Sequence, residues 1–240
     1  MLNKKRYSDY KTFRAEYSIE APPDFNFTYD IIDAIAAAEP QRRAMIHVGP
    51  DNTTHEYTFA WFAEQSARLA NSLKARGVKK GDRIMLILYR RVEFWITMLA
   101  LHRIGAIAIP ATFQLTPKDI VFRAVHGRLS GVIVEDSLLK NVELARREYD
   151  GWQHFVVVSS VRPFGHVPAG ASRSYAAPYD TTPLPEDWVD YDDLITLGAP
   201  STEKPSGPEL AAGDDPMIIF FSSGTTGMPK MVQHGHTYPL

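Results

Sequence analysis

Between Gly81 and Ser159, apolar segments of strand length alternate with segments of helical length. The predicted strands are continuous apolar runs, typical of strands buried on both faces, and they span 83–88, 106–110, 131–135 and 155–159. The predicted helices lie between them, at 93–102, 116–128 and 137–149. A repeated strand–helix–strand unit favours parallel strands, because each crossover helix covers a face of the sheet. We therefore predict an α/β fold with a doubly wound parallel sheet covered by helices.

The chain before residue 59 follows a different pattern. Asp30 is placed to cap a helix that would end before Pro40. Two short strands are predicted on either side of a turn, at 44–48 and 55–59. From Phe59, apolar residues recur three and four positions apart, which predicts a long amphipathic helix. We therefore divide residues 1–161 into N-terminal helices and short strands, 1–58, and an α/β unit, 59–161.

Two proline-rich segments interrupt the alternation. Residues 162–186 hold five prolines and almost no aliphatic side chains, and residues 200–216 hold further prolines and glycines. Proline lacks the amide hydrogen that helices and central strands need. We predict a surface loop for each segment. Loops of this length inside a compact domain are usually functional or inserted.

The composition excludes several classes of site and partner. The chain has no cysteine, which excludes disulfides, a thiolate nucleophile and a zinc–cysteine centre. Its formal net charge is −2, and its tryptophans have no regular spacing with basic residues, so we expect no nucleic-acid partner. The longest apolar stretch, 104–113, is too short to span a bilayer, and the N-terminus carries no recognisable targeting segment. We expect a cytoplasmic protein and leave homo-oligomerisation open.

One motif carries chemistry, and it follows a predicted strand at 217–221. It combines four hydroxyl groups, two glycines and a lysine in the order Ser222, Ser223, Gly224, Thr225, Thr226, Gly227, Met228, Pro229 and Lys230. Glycines let backbone amides turn toward an anion, hydroxyls donate to phosphate oxygens, and the lysine supplies a positive charge. A Walker A loop has Gly-Lys-Ser/Thr where this chain has Pro-Lys-Met. The motif therefore predicts a phosphate-binding loop of another kind.

A flexible Ser/Thr/Gly linker is the alternative interpretation of this motif. A linker needs no strand on either side. Here an apolar strand enters the segment, and Met231-Val232 indicate a strand that leaves it. We therefore favour the binding loop.

Phe220-Phe221 and the nine residues that follow resemble the phosphate-loop signature of the AMP-forming adenylating enzymes, which include acyl-CoA synthetases, luciferases and peptide-synthetase adenylation domains. Met231 stands where most members have glycine, and with Val232-Gln233-His234 it resembles the medium-chain acyl-CoA synthetase branch. Segments 90–95 and 99–112 resemble the same branch. The resemblance covers roughly residues 57 to 240, with 162–186 as an insertion. It implies the first part of the large N-terminal domain of an adenylate-forming enzyme.

The resemblance also implies an activity and its cofactors. A carboxylic acid, medium-chain or branched, would attack the α-phosphate of Mg-ATP, releasing pyrophosphate and forming an acyl-adenylate. Coenzyme A would then take the acyl group and release AMP. Residues 222–230 would hold the β- and γ-phosphates. Gln114 stands where medium-chain relatives place a glutamine that contacts coenzyme A, and a polar loop residue without a ligand is the open alternative.

Other functional parts of the family lie downstream of this motif. The resemblance places the adenine-binding segment, the acidic Mg²⁺ ligand, the ribose-binding aspartate and the catalytic lysine beyond Leu240, so no catalytic or metal-ligating residue is assigned in this chain. We expect 1–240 to be an incomplete N-terminal adenylation domain, with the strand and phosphate-binding loop at 217–240, and to be inactive alone. Two alternatives stay open: an adenylation domain that loads a carrier protein, and a truncated nucleotide-binding module without catalysis.

Paired histidines and acids give weaker signals. His234 and His236 could share one face of a strand and bind a metal, but no set of carboxylates or cysteines accompanies them, so pocket lining or packing is favoured. The adjacent acids Asp192-Asp193 and Asp214-Asp215 are expected to diverge rather than to form a catalytic dyad.

Two arginine pairs are interpreted as solvated charges at helix ends. These pairs are Arg90-Arg91 and Arg146-Arg147. Contact with a phosphate of coenzyme A is the alternative for both.

The composition of 162–186 generates a first testable prediction. A segment rich in proline and poor in apolar side chains cannot offset the entropy of one packed conformation. Limited proteolysis of the protein should therefore cut within 162–186 before any other segment. Mass spectrometry of the earliest fragments checks this, and a first cleavage within 81–159 would show that the loop assignment is wrong.

Overall fold

The computed structural model describes residues 6–18, 20–49, 52–160, 184–222 and 227–240. Within these ranges the strands are β1 (Arg43–Val48), β2 (Thr54–Thr58), β3 (Arg83–Ile87), β4 (Ile107–Ala111), β5 (Gly131–Glu135), β6 (His154–Val158), β7 (Trp188–Asp190), β8 (Pro216–Ser222) and β9 (Lys230–Gly235). The α-helices are α1 (Tyr10–Glu16), α2 (Ala34–Ala38), α3 (Phe59–Ala75), α4 (Val92–Ile104), α5 (Pro117–Gly127), α6 (Leu139–Arg146) and α7 (Tyr191–Leu197). A turn of π-helix, Thr28–Asp33, directly precedes α2.

Seven strands form one sheet in the order β7-β6-β5-β3-β4-β8-β9, and β1 pairs with β2 in a separate antiparallel hairpin. Neighbouring strands from β7 to β8 are parallel, whereas β9 runs antiparallel to β8 at the edge. The chain extends the sheet from β3 to β4 on one side and then returns past β3 to β5 and β6 on the other. The predicted doubly wound parallel sheet is confirmed. The sequence pattern missed β7, a strand of only three residues.

Side chains of the central strands alternate between two apolar cores. On β3, Ile84 and Leu86 enter the core shared with α3, α4 and α7, while Met85 and Ile87 enter the core shared with α5 and α6. Successive side chains of a strand point to opposite faces, so a strand covered on both sides must be apolar throughout. Each fully buried aliphatic side chain contributes about 1.5–3 kcal/mol of transfer free energy. The two cores therefore explain the continuous apolar runs in the sequence.

Helix ends coincide with predicted capping residues. The Thr116 hydroxyl accepts from the Asp119 amide at 3.3 Å, and the Asp119 carboxylate accepts from the Thr116 amide at 3.0 Å, so a capping box precedes Pro117. Helix α4 ends at Gly105, whose φ of 80° lies in the left-handed region. A Cβ at Gly105 would also lie 2.8 Å from the Cβ of Ala211. None of the helices in the described ranges is long and apolar enough to cross a membrane.

The helix predicted to begin at Asp30 begins one turn earlier. Asn26 is the capping residue, because its Oδ1 accepts from the Thr28 amide at 3.0 Å while its own amide donates to the Asp30 carboxylate at 2.7 Å. Asn and Asp are equally good capping residues, so local sequence does not choose between them. Tertiary contacts select Asn26, because its Nδ2 also donates to the backbone carbonyls of His102 and Ala211. The predicted cap is therefore wrong.

The predicted loops have different outcomes. Residues 200–216 form an irregular segment that contains one 3₁₀ turn, Gly207–Glu209, and leads into β8, which confirms a loop there. Of the segment 162–186, residues 162–183 lie outside the described ranges, and the loop assignment stays a prediction.

Arg103, near the end of α4, is a buried cation that joins distant parts of the fold. Its guanidinium donates to the Asp33 carboxylate at 2.7 Å, the Ser66 hydroxyl at 3.0 Å and the Thr202 hydroxyl at 2.8 Å. These partners belong to the π-helical turn, to α3 and to the 200–216 loop. A buried charge without a partner is strongly destabilising. The three elements must therefore all be in place to keep the buried guanidinium of Arg103 paired.

Replacing this cation tests how much the fold depends on it. Arg103→Met should lower the free energy of unfolding by about 1–3 kcal/mol, because Asp33, Ser66 and Thr202 would lose their hydrogen-bond donor. The matched control is Arg43→Met, which breaks the 2.8 Å pair between Arg43 and Glu56 on the exposed hairpin, and its cost should stay below about 1 kcal/mol. Urea denaturation followed by circular dichroism measures both. Equal losses in the two variants would contradict the assignment.

Candidate functional site

The strands β3 to β8 are parallel, so their carboxyl ends all lie at the same edge of the sheet. We call it the carboxyl edge. The loops that meet there include 88–91 after β3, 112–116 after β4 and the segment that follows Ser222 at the end of β8. In open α/β sheets, ligands bind in the crevice outside the carboxyl ends of the strands. The carboxyl edge is therefore the place to look for a site.

The predicted phosphate-binding motif spans the connection from β8 to β9. Ser222 is the last residue of β8, Lys230 is the first residue of β9, and the two are direct cross-strand partners. Antiparallel pairing thus brings the two ends of the motif together at the carboxyl edge. Both flanking strands expected from the sequence are present, which argues against a flexible linker.

The described residues of the motif present their groups to solvent. Ser222, Met228 and Lys230 are exposed, and within the described ranges Lys230 takes part in no ion pair. Gly227 has a φ of 99°, a backbone conformation that favours glycine, and no described residue would lie within 4 Å of a Cβ there. The remaining central residues of the motif lie outside the described ranges: Ser223, Gly224, Thr225 and Thr226. Phosphate binding by this motif stays a prediction.

Gln114 lies exposed in the loop between β4 and α5. Its backbone amide donates to the Thr112 hydroxyl at 3.3 Å. Next to it, the exposed rings of Tyr89 and Phe113 stack with their centroids 4.3 Å apart, which joins the loops after β3 and β4. Because β4 is the neighbour of β8, Gln114 and Ser222 follow adjacent strands at the carboxyl edge. Contact of Gln114 with coenzyme A stays a prediction.

A second group at the carboxyl edge is a buried ion cluster around Arg91. The interpretation of Arg90-Arg91 as solvated charges holds for Arg90, which is exposed, and is wrong for Arg91, which is 6% exposed. Its guanidinium donates to Glu93 at 2.8 Å, to Glu135 at 3.1 Å and to the carbonyl of Ser159 at 2.8 Å. Sequence pattern missed this cluster because its members come from three separate strand ends.

Burial and ion pairing shift the pKa of Arg91 in opposite directions. Burial disfavours the charged guanidinium, but the hydrogen bonds and charges of Glu93 and Glu135 outweigh it and raise the pKa of Arg91 above its usual value. Burial, followed by the charge of Glu93, also raises the pKa of Tyr57 to about 12. Each acid of the cluster is engaged by the cation. The cluster therefore holds strand ends together and leaves ligand binding to the exposed groups beside it.

The other predicted arginine pair also differs from the expectation. Arg146 pairs with Glu143 at 3.3 Å and with Asp187 at 3.0 Å, and its guanidinium lies 4.3 Å from the ring centre of Phe155. Hydrogen bonds that Arg146 donates to the Asp187 carboxylate raise the pKa of Arg146. Arg146 therefore packs on the protein rather than standing in solvent, whereas Arg147 is exposed as expected.

The paired acids take separate structural roles. The amides of Asp192 and Asp193 donate to the Asp190 carboxylate at 2.6 and 3.3 Å, so both acids lie in the first turn of α7 with Asp190 as its cap. Asp215 binds Lys80 at 2.9 Å, while Asp214 is exposed. Asp192 and Asp193 therefore belong to a helix start, and Asp215 belongs to an ion pair.

The two histidines of β9 and the turn after it contact different neighbours. His234 stacks on Tyr238 with ring centroids 3.9 Å apart, whereas His236 lies 5.8 Å from the ring of His102. In the part of the chain that the structure describes, no group of three or more His, Asp or Glu residues could hold a metal ion. Packing, the favoured interpretation of these histidines, accounts for both.

The chain is similar to curated acyl-CoA synthetases. It is 32% identical over 219 residues to acyl-coenzyme A synthetase ACSM5, mitochondrial, of Rattus norvegicus, which covers 89% of this chain and 33% of that protein. It is 29% identical over 227 residues to acyl-coenzyme A synthetase ACSM1, mitochondrial, of Homo sapiens, which covers 92% of this chain and 35% of that protein. The chain spans about a third of the length of these relatives.

Solved structures of CoA ligases share the fold. The anthranilate CoA ligase AuaEII, crystallised in complex with anthranoyl-AMP, superposes with a TM-score of 0.67 at 23% identity, over 90% of this chain and 36% of that one. Acetoacetyl-CoA synthetase from Streptomyces lividans gives a TM-score of 0.70 at 20% identity, over 89% of this chain and 30% of that one. These likenesses confirm the expected α/β domain.

A family model described as AMP-binding enzyme matches residues 32–240, which include the doubly wound sheet and the whole of the motif from Ser222 to Lys230. The relatives named above agree with the resemblance that the motif carries. The chain therefore belongs to the AMP-binding enzyme family.

Proposed function

We propose that the protein activates a medium-chain or branched fatty acid with ATP and transfers the acyl group to coenzyme A. The observation that carries the proposal is the pairing of Ser222 with Lys230 at the carboxyl edge. The two paired residues are the ends of a hydroxyl-rich and glycine-rich motif, and they lie at the edge of the sheet where parallel α/β proteins bind their ligands. The names of the curated relatives support coenzyme A as the acyl acceptor.

The first step joins the acid to the nucleotide. A carboxylate oxygen of the acid bonds to the α-phosphorus of ATP, and the bond between that phosphorus and the pyrophosphate oxygen breaks. The hydroxyl of Ser222 and the backbone amides near Gly227 would donate to the departing phosphates, while Lys230 would balance their charge. Each charge-assisted hydrogen bond contributes about 1.5–3 kcal/mol when water is excluded. Positioning and charge stabilisation therefore supply most of the rate in such a step.

The second step transfers the acyl group. The thiol of coenzyme A gives up its proton to solvent and its sulfur bonds to the acyl carbon. AMP leaves with the electron pair of the broken carbon–oxygen bond. Gln114 follows the strand next to β8 at the carboxyl edge, so its amide is available to orient coenzyme A beside the nucleotide. We propose Gln114 as a positioning residue for this substrate.

Mg²⁺ would neutralise part of the charge of ATP. The described residues offer no cluster of acids that fits this ion, so no step is assigned to it on this chain. We propose that its ligand comes from another part of the protein, as the family resemblance implies.

A carrier protein is the alternative acyl acceptor, and a module that binds ATP without catalysis is the alternative to turnover. Met231, which is exposed on β9, favours coenzyme A over a carrier protein as the acyl acceptor, because peptide-synthetase domains more commonly have glycine at this position. Supplying free coenzyme A or a carrier protein to the preformed acyl-adenylate separates the acceptors. Calorimetry with ATP that shows binding without turnover would favour the module.

Removing the lysine of the motif tests the phosphate-binding assignment. In the full-length enzyme, Lys230→Ala should slow the formation of acyl-adenylate, because Lys230 is the only cation among the nine motif residues. We expect a loss of about tenfold or more in acid-dependent exchange between ATP and pyrophosphate, equivalent to one charge-assisted contact. The far-ultraviolet circular dichroism spectrum should be unchanged.

The matched control for this variant is Lys74→Ala, because Lys74 is an exposed lysine on α3. Its exchange rate should equal that of the parent enzyme. Exchange by Lys230→Ala within twofold of the parent would contradict a role for Lys230 in holding phosphates.

Gly227 allows a second test of the motif. Gly227→Ala and Gly207→Ala each place a Cβ on a backbone of positive φ, 99° and 60°, in open space. Both should destabilise the protein by roughly 1–2 kcal/mol through backbone strain. Only Gly227→Ala should weaken the binding of ATP, because only that strain acts on the phosphate-binding segment. Isothermal calorimetry measures the binding, and equal affinities for ATP in the two variants would argue against Gly227 as part of the site.

A further inference from the structure

Two imidazoles meet inside the protein at the end of the sheet opposite the carboxyl edge. His102 on α4 is 3% exposed, His236 in the turn after β9 is fully buried, and their ring centroids lie 5.8 Å apart with the planes at 75°. Among the described residues, none of their four ring nitrogens has a hydrogen-bond partner. Buried polar atoms normally have partners, and a buried charge costs far more than a neutral group. This contact therefore requires both rings to be neutral.

The surroundings of the pair offer little to stabilise a charged imidazole. Within the described ranges, the charged groups that act on His236 are Asp215, from the turn before β8, and Lys80, from the turn before β3. These two groups bind each other at 2.9 Å, and the Asp215 carboxylate also accepts from the amide of Ala212 at 3.1 Å. Among the described residues, the one titratable neighbour that acts on His102 is His236, which is neutral while the contact is intact. A proton added to either ring would therefore stay poorly compensated.

The strand that this contact holds has few other attachments. Strand β9 lies at the edge of the sheet, pairs with β8 alone, and is exposed from Lys230 to Gln233. Its far end closes on the turn before β8, where a Cβ at Gly235 would lie 2.8 Å from the carbonyl oxygen of Gly213. The next residue is His236. The imidazole pair thus secures the end of an edge strand whose first residue is the lysine of the phosphate-binding motif.

We propose that the contact between His102 and His236 is an acid-sensitive latch, which holds β9 against α4 and opens when either imidazole takes up a proton. Opening would free the end of β9 from α4 while leaving the central strands β3 to β5 in place. The latch is a property of the fold and does not depend on the proposed reaction.

The direction of the effect follows from the pKa values. Burial lowers the pKa of His102 to about 3, and a proton on His236 would disfavour a second proton on His102. Burial also lowers the pKa of His236 to about 4, against the opposing effect of the Asp215 carboxylate. Once the latch opens and water reaches the rings, each pKa returns to about 6.5. The stabilisation by the latch is therefore fully present above pH 6.5 and is lost as the pH falls toward 4. Opening becomes roughly tenfold more favourable per imidazole between pH 7.5 and pH 5.5.

Amide hydrogen exchange on the full-length protein tests the proposal. The quantity to measure is the protection factor of β9 amides, corrected for intrinsic exchange at each pH and divided by that of β5 amides in the same sample. We expect this ratio to fall by about tenfold to 100-fold from pH 7.5 to pH 5.5, depending on whether one or both rings are exposed on opening. A ratio that changes by less than about threefold in the unmodified protein would overturn the proposal, and this outcome needs no variant.

Variants assign the effect to the two rings. In each single variant, His102→Leu or His236→Leu, the fall in the protection ratio from pH 7.5 to pH 5.5 should be about tenfold smaller than in the parent. In the double variant the ratio should not change with pH. The matched control is His126→Leu, which removes an exposed histidine on α5, on the other face of the sheet, and should behave as the parent. Acid sensitivity of β9 that persists in the single variants at the full value of the parent would overturn the assignment, even where the double variant fails to fold.

Discussion

The structure depends on the burial of its central strands on both faces. Strand β3 lies between β4 and β5, and its alternate side chains fill two separate cores, so water reaches neither side of it. Its backbone groups can then be satisfied only by neighbouring strands, which makes the pairing and polarity of those strands obligatory. The common polarity brings the loops after β3, β4 and β8 to one edge. The location of the candidate site is thus a consequence of how the core is covered.

Charged groups buried next to these cores link elements that the sheet alone does not connect. Arg103 joins the N-terminal segment and the 200–216 loop to α4. Arg91, which follows β3, binds Glu135 at the end of β5 and the carbonyl of Ser159 after β6. Such clusters contribute little net free energy compared with apolar packing, but they are costly to break because a partner would be left buried and unpaired. They therefore restrict the fold to one arrangement of loops around the sheet. The loops that carry the exposed groups at the carboxyl edge are held in position by these buried ion pairs and by the sheet.

Sequence pattern could predict the elements whose signal is local, and it missed those that depend on distant residues. The apolar runs of β3 to β6 and the capping box at Thr116 are local, and the structure has them. The cap at Asn26 and the burial of Arg91 were beyond such reasoning, because carbonyls and carboxylates far away in sequence decide them. For the site, the contiguous motif could be identified by its chemistry, and parallel topology explains why Gln114 follows the strand next to β8. The role of each side chain toward a ligand stays a prediction.

The pairing of Ser222 with Lys230 has a consequence for how this segment can change in length. Because the two ends are joined by the β8–β9 ladder, the residues between them form a closed connection. The entropy of closing a loop grows only slowly with length, by about 0.6 kcal/mol for each doubling, so the fold would tolerate an insertion there with little loss of stability. Under the proposed function, the same insertion would shift the register between the hydroxyls and the lysine, which would have to face one ligand. That function would then limit the length of this connection more strictly than folding does.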